Sequence, residues 1–237
     1  MTRELVYGRR PVREVVRAGR REVLELLASE RALAAEPWLR DVRGLRLQVR
    51  TESALTAEAG TRDHQGVVAL CEPYRYADAY ELAAGERPLL ACLDQVTDPH
   101  NLGAVCRSAE GASATGVVVP ERSAARVTAA VCRASAGAVE HLPVAVVVNL
   151  ARYLAETKRG DLWAWAAAAD ATTSVWDAGF ATGTLLVFGS EGRGLRPGVR
   201  RACDDAFSIP LGGRVESLNV SVAAGIALFE AARQRRA

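Results

Sequence analysis

Leu93-Asp-Gln-Val-Thr-Asp-Pro-His-Asn-Leu-Gly-Ala-Val-Cys-Arg-Ser-Ala-Glu-Gly-Ala112 is the stretch that decides how this chain folds. It follows the apolar run Leu89 to Leu93 and precedes Gly116-Val-Val-Val-Pro120, the pattern of a strand, a polar turn, a helix and a second strand. Asp98-Pro99 signals the turn and Asn101 is a candidate helix cap. Asn101 and Arg107 then lie on the loop and early turns of one helix. The interval from 101 to 107 is about 600° of helical rotation, so the two share a face only if Asn101 stays in the loop.

Working outward, the apolar runs Val144 to Val148, Leu162 to Ala168, Leu185 to Phe188 and Phe207 to Ile209 alternate with helical segments, which predicts a mostly parallel sheet covered on both faces. Trp163-Ala-Trp-Ala reads as a buried strand passing into a turn. Two of the runs empty into glycine loops. In Leu185-Leu-Val-Phe-Gly-Ser-Glu-Gly-Arg-Gly-Leu-Arg-Pro the loop does not fit a dinucleotide fingerprint, because its first glycines are three apart and Glu191 stands where a pyrophosphate would be repelled. A carboxylate there suits a cationic or hydroxyl-bearing ligand. In Ile209-Pro-Leu-Gly-Gly-Arg-Val-Glu-Ser-Leu-Asn-Val-Ser-Val-Ala, Gly212 and Gly213 are free to take conformations closed to other residues. Ser217 and Asn219 follow at the mouth of an apolar helix expected from Val220 to Arg233. Alone, this last stretch reads equally well as a buried helix with a serine cap.

Towards the N-terminus, Pro11 suits a first helical position, Val12, Val15 and Val16 give an apolar face, and Gly19 ends the helix. Val23-Leu-Glu-Leu-Leu, Leu45-Arg-Leu-Gln-Val and Gly66-Val-Val-Ala-Leu read as three strands. The organisation expected is a small α/β domain over 1–72, a linker with a short helix of its own over 73–87, and a larger α/β domain over 88–237.

Composition bounds the function. The 237 residues are 49% hydrophobic, enough for buried cores, and the net charge is only +2. The run Leu142 to Leu150 is too short to span a bilayer and the Met1-Thr-Arg-Glu start lacks a hydrophobic signal region, so a cytoplasmic protein without membrane partners is expected. Cys71, Cys92, Cys106, Cys132 and Cys203 have no paired spacing and read as reduced core residues; with His64, His100 and His141 scattered, no metal site is expected. Between Arg9 and Arg21 six arginines stand against Glu14, and Arg233, Arg235 and Arg236 follow near the end. Arginine suits phosphate, although such a run is also what a solvated helix face looks like.

Taken together, Asp98-Pro-His-Asn-Leu-Gly with Arg107-Ser-Ala-Glu, Phe188-Gly-Ser-Glu-Gly-Arg-Gly, and Ile209-Pro-Leu with Ser217-Leu-Asn-Val-Ser-Val-Ala resemble, in order and spacing, the three motifs of the SpoU family of RNA ribose 2′-O-methyltransferases in the SPOUT superfamily. Ser135-Ala-Gly-Ala-Val-Glu-His-Leu-Pro-Val with Asn149-Leu150 is similar to the family's linking region. Tyr7-Gly8 and His64-Gln65-Gly66 resemble the small RNA-binding domain of the branch that methylates a guanosine ribose in large-subunit (23S) ribosomal RNA.

The resemblance implies a knotted SPOUT methyltransferase domain behind a ribosomal-protein-like RNA-binding domain, a homodimer, and S-adenosylmethionine as methyl donor. It implies catalytic roles for Asn101, Arg107, Glu191, Ser217 and Asn219, and a cofactor pocket built by Gly189, Ser190, Gly192, Ile209, Leu211, Leu218 and Ser221, largely through main-chain groups. Substrate contacts fall to Arg9, Arg10, Arg13 and Arg107, with ribosomal RNA or the assembling large subunit as partner. An arginine pKa above about 12 favours Arg107 as a clamp on phosphate and developing alkoxide over a base, with Glu191 orienting it or taking the proton through water. Singly, Asn101 and Ser217 also read as helix caps, and Arg107 with Glu110 as a surface pair. Other open readings are methylation of a different ribosomal nucleotide, as in resistance enzymes, methylation of transfer RNA, and an inactive ribosome-assembly factor.

Overall fold

The computed structural model describes residues 3–42, 44–215 and 217–236; the Met1-Thr2 start, Glu216 of the third motif and the last residue lie outside the described residues. The chain runs β1 (Glu4–Tyr7), α1 (Arg9–Ala18), β2 (Val23–Ala28), α2 (Glu30–Ala35), β3 (Leu47–Val49), α3 (Glu52–Ala59), β4 (Val67–Cys71) and α4 (Ala79–Ala83). It continues through β5 (Leu89–Leu93), α5 (Pro99–Gly111), β6 (Gly116–Pro120), α6 (Ala129–Ala134), β7 (Val144–Val147) and α7 (Leu150–Thr157). The last elements are β8 (Leu162–Ala167), β9 (Gly183–Phe188), α8 (Pro197–Ala202), β10 (Asp205–Phe207) and α9 (Val220–Arg236). Its contacts divide it into two compact units, Met1–Arg75 with Arg126–His141, and Tyr76–Ala125 with Leu142–Ala237.

The first unit carries a four-stranded sheet in the order β1-β4-β2-β3, with β4 antiparallel to both neighbours and β2 parallel to β3. A fourth strand, β1, joins the three read from sequence; its four residues are too few to show a period. The first helix begins at Arg9, earlier than expected, because Gly8 at φ 99° turns the chain into it and Pro11, still inside the first turn, has no N–H to miss. Gly19 ends that helix in the left-handed conformation.

The segment between β6 and β7 packs in this first unit, with α6 against β1 and α1. Beside it Arg21, 5% exposed, is held by both oxygens of Glu140, by Glu4 Oε2 at 3.0 Å and by Cys132 Sγ at 3.4 Å, over the Tyr74 ring. Burial alone would favour a neutral guanidine; the Glu140 carboxylate overrides it and raises the pKa above the ordinary arginine value. Arg21 is thus a structural ion, which removes it from the basic run that its position in sequence suggested. Arg17 pairs with Glu14, and Arg9 lies 3.5 Å from Glu36.

The second unit is built on a six-stranded, wholly parallel sheet in the order β10-β8-β9-β5-β6-β7. Its strands are near-continuous apolar runs because helices cover both faces. Leu90, Cys92, Val118, Leu185 and Val187 face a core closed by α4, α7 and α8, with Tyr153 fully buried in it. On the alternate face α5 and α9 pack together and against the central strands through Leu102, Val105, Cys106, Ala224 and Leu228. β8 departs from the expectation of a wholly buried strand: Trp165 is buried, Trp163 exposed. Four of the five cysteines are buried, and burial pushes the Cys71 and Cys106 thiols up to about 12, so they are thiols, not thiolates, at neutral pH. Among the described residues no helix is long and apolar enough to cross a membrane.

Candidate active site

Ligands of parallel α/β sheets bind beyond the carboxyl ends of the strands, where successive connections leave in opposite directions. Here that point lies at β5 and β9: β6 and β7 follow on one side of β5, β8 and β10 stand on the other, and the β9–β10 connection crosses β8. The loops leaving β8, β9 and β10 line a cavity of about 1040 Å³, bounded by Ala167–Asp170, Phe188–Leu195 and Phe207–Leu211 and closed by Ser217, Leu218 and Val220.

The loop after β9 is folded tightly on itself. Gly194 N donates to Ser190 O at 2.9 Å, and Gly192 and Gly194 take left-handed φ of 77° and 65°. Gly189 is fixed by contact: a Cβ there would sit 2.1 Å from the Gly194 carbonyl carbon. Only glycine fits. The second glycine pair behaves differently. Gly212 and Gly213, free by their sequence to take conformations closed to other residues, do not use that freedom: neither has a positive φ, and nothing lies within 4 Å of a would-be Cβ.

Helix α5 is capped by Asp98, whose Oδ1 accepts from His100 N at 2.8 Å, with Pro99 at the first helical position. Asn101 is therefore not the cap its position suggested. It lies inside the first turn, which frees its side chain for another element: Nδ2 donates to Glu191 Oε1 at 3.0 Å. Asn219 caps α9, its Oδ1 accepting from Ser221 N at 2.8 Å and Ser221 Oγ at 2.6 Å. A backbone N–H can only donate, so this bond fixes the amide with Nδ2 outward. That group donates to Glu191 Oε1 at 2.6 Å and to Asn101 Oδ1 at 3.0 Å.

The structure thus gathers Asn101, Glu191, Asn219 and Ser221, from α5, the β9 loop and α9, into one network. One oxygen of Glu191 holds two amide donors, and its Oε2 takes no hydrogen bond from the described residues. Gly189, Ser190, Glu191, Gly192, Ile209, Leu211, Ser217 and Leu218 all line the cavity. Arg107 joins neither set: it is exposed on α5, and no described residue hydrogen-bonds or ion-pairs with it, Glu110 and Glu191 included. Arg9, Arg10 and Arg13 belong to the other unit. Arg10 is exposed, and Arg13 is half-buried with an Nε that has no hydrogen-bond partner. Among the described residues no group of His, Cys, Asp and Glu is gathered as a metal site.

Sequence reasoning missed a clasp beneath the loop. Asp94, fully buried at the exit of β5, donates its N–H to Phe188 O at 2.7 Å, just before the β9 loop. Its carboxylate accepts from Arg196 N at 2.9 Å, Nε at 2.8 Å and Nη2 at 2.6 Å, just after that loop. One residue thus pins both ends of the segment that carries Glu191. The signal was an acidic residue directly after a wholly apolar run, where burial demands a partner.

The cavity suits a nucleoside that also carries charged groups. Its lining offers apolar surface from Phe188, Ile209, Leu211 and Leu218, and Asp170, Glu191, Arg193, Arg200 and Arg214 supply charges of both signs. The SpoU rRNA Methylase family matches residues 88–229, and the RNA 2′-O ribose methyltransferase substrate-binding family matches residues 5–77. The chain is 48% identical over 193 residues to the 23S rRNA (guanosine-2′-O-)-methyltransferase RlmB of a Burkholderia species, covering 80% of this chain and 78% of that one. It is 38% identical over 245 aligned residues to RlmB of Vibrio vulnificus, covering 100% and 99%. Among solved structures it is similar to the SpoU methyltransferase AviRb of Streptomyces viridochromogenes in complex with the cofactor AdoMet. That match has 31% identity and a TM-score of 0.83, over 98% of this chain and 90% of the other. With a cavity, a carboxylate network and an end-to-end sequence match all agreeing, the chain belongs to the SpoU rRNA methylase family.

Proposed function

We infer that this protein transfers a methyl group from S-adenosylmethionine to the ribose 2′-hydroxyl of a guanosine in 23S ribosomal RNA. The observation that carries the reading is the Asn101–Glu191–Asn219 network at the edge of the cavity. When bound, S-adenosylmethionine supplies a methyl on a sulfonium and leaves as a neutral thioether. The chain's own residues align the nucleophile and dispose of its proton. Such alignment is worth roughly 7–11 kcal/mol of the barrier.

Glu191 is the proton acceptor in this reading, directly or through one water, because two amides hold one of its oxygens and leave the other open. Asn101 and Asn219 set its direction. Gly189, Ser190, Gly192, Ile209, Leu211 and Leu218 bind the cofactor, and Ser221 supports Asn219 from outside the cavity. Ser217, exposed on the cavity wall, is placed to hydrogen-bond the ribose or the cofactor. Arg107, with no carboxylate partner among the described residues, is available to clamp a target phosphate. We place the protein in the cytoplasm, where ribosomal RNA is assembled, and propose no metal requirement. The trefoil threading of the superfamily belongs to this reading. Val222 and Phe229, 49% and 53% exposed on α9, support a homodimer that covers this face.

Glu191→Gln tests the assignment. It should leave S-adenosylmethionine affinity, read by calorimetry with chelator present, within about twofold. Turnover on ribosomal RNA should fall on the order of 100-fold. Unchanged turnover would remove Glu191 from the proton path.

A further inference from the structure

Substrate arginines were expected in the run from Arg9 to Arg21, yet the structure spends Arg17 and Arg21 on ion pairs and gathers other arginines elsewhere in the same unit. A groove of about 860 Å³ is lined by Arg9 at the start of α1, Arg31 in the first turn of α2, Arg50 before α3 and Arg62 between α3 and β4. These positions are far apart in sequence and are brought together only by the sheet.

Arg31, Arg50 and Arg62 are exposed, and none has a carboxylate partner among the described residues. Arg9 is steered by Gln65, whose carbonyl accepts from its Nε at 3.2 Å. Two carboxylates, Glu30 and Glu52, also line the groove, and Arg9 lies 3.5 Å from Glu36 outside it, which leaves four guanidinium groups against three negative charges. At each of the two helix starts beside it a side chain caps one N–H: Ser29 Oγ accepts from Ala32 N and Thr51 Oγ1 from Ala54 N, both at 3.2 Å.

We propose that this groove is where the N-terminal unit takes the phosphate backbone of the ribosomal RNA substrate, in preference to the Arg10 and Arg13 face of α1. The proposal rests on the methyltransferase reading above. Four cations spread over a groove of this size exceed what a single phosphate needs and match a run of consecutive phosphates. Such contacts position a substrate without reading its sequence. Guanidinium forks suit them better than ammonium groups do.

The test is filter binding of the full-length protein to protein-free 23S ribosomal RNA across a salt series. Arg31→Ala with Arg62→Ala should weaken binding about tenfold or more and reduce the log–log salt slope by about 1 for each lost contact. Affinity for S-adenosylmethionine, which also reports folding, should not change. Arg31→Lys with Arg62→Lys should recover most of the slope. Arg10→Ala with Arg13→Ala should be the milder pair. Wild-type affinity and slope in the groove variants, or a loss confined to the α1 variants, would overturn the proposal. A wild-type protein that binds this RNA but methylates nothing would defeat the methyltransferase reading alone, because the groove is still read by the slope.

Discussion

The two glycine loops that border the cavity look alike in sequence and differ in kind. The Gly189–Gly194 loop uses glycine physically: one Cβ would collide with backbone, and two residues take φ values that other residues occupy at a cost. The Gly212–Gly213 loop does neither. What separates them is anchorage. The first is clamped at both ends by Asp94 and closed on itself by Ser190 and Gly194, whereas the second runs past the cavity in open space. A glycine motif therefore marks a built site only where something forces the backbone.

That contrast can be broken by substitution. Gly189→Ala should have the largest effect, because the added carbon sits 2.1 Å from backbone that cannot yield without opening the loop. Calorimetric affinity for S-adenosylmethionine should fall on the order of 100-fold, about 2.7 kcal/mol. Asp94→Asn keeps the side chain's volume and removes the charge from the clasp with Arg196. Cofactor affinity should fall by about tenfold and the melting temperature should drop, with the chemical step at saturating cofactor less affected. Gly194→Ala meets no atom and only strains φ, at a cost of about 1 kcal/mol in denaturant unfolding. Gly212→Ala should be nearly silent, within about 0.5 kcal/mol and twofold in cofactor affinity. Equal damage from Gly189→Ala and Gly212→Ala would erase the distinction.

Much of this was legible before the structure. The strands of the parallel sheet announce themselves as apolar runs because both faces are buried, and the three polar motifs fall at their ends. The cap of α5 was misread because Asp98-Pro99 signals a turn and a helix start equally well; moving the cap to Asp98 is what releases Asn101 to meet Glu191. The Asp94 clasp was hidden because its partner lies at Arg196, across most of the domain. The groove arginines were hidden for a related reason, since four separate stretches of chain supply them, while the conspicuous run from Arg9 to Arg21 includes a buried structural ion at Arg21. Local patterns report burial and capping; they do not report which distant charge a side chain meets.

The measurement that bears most directly on the whole account is transfer of a labelled methyl group from S-adenosylmethionine to 23S ribosomal RNA by the purified protein, followed by alkaline hydrolysis and position mapping. The account predicts label in an alkali-resistant dinucleotide, since a 2′-O-methyl group blocks cleavage, at a single guanosine. Label recovered on a base, or none transferred to RNA by a protein that binds the cofactor, would contradict it.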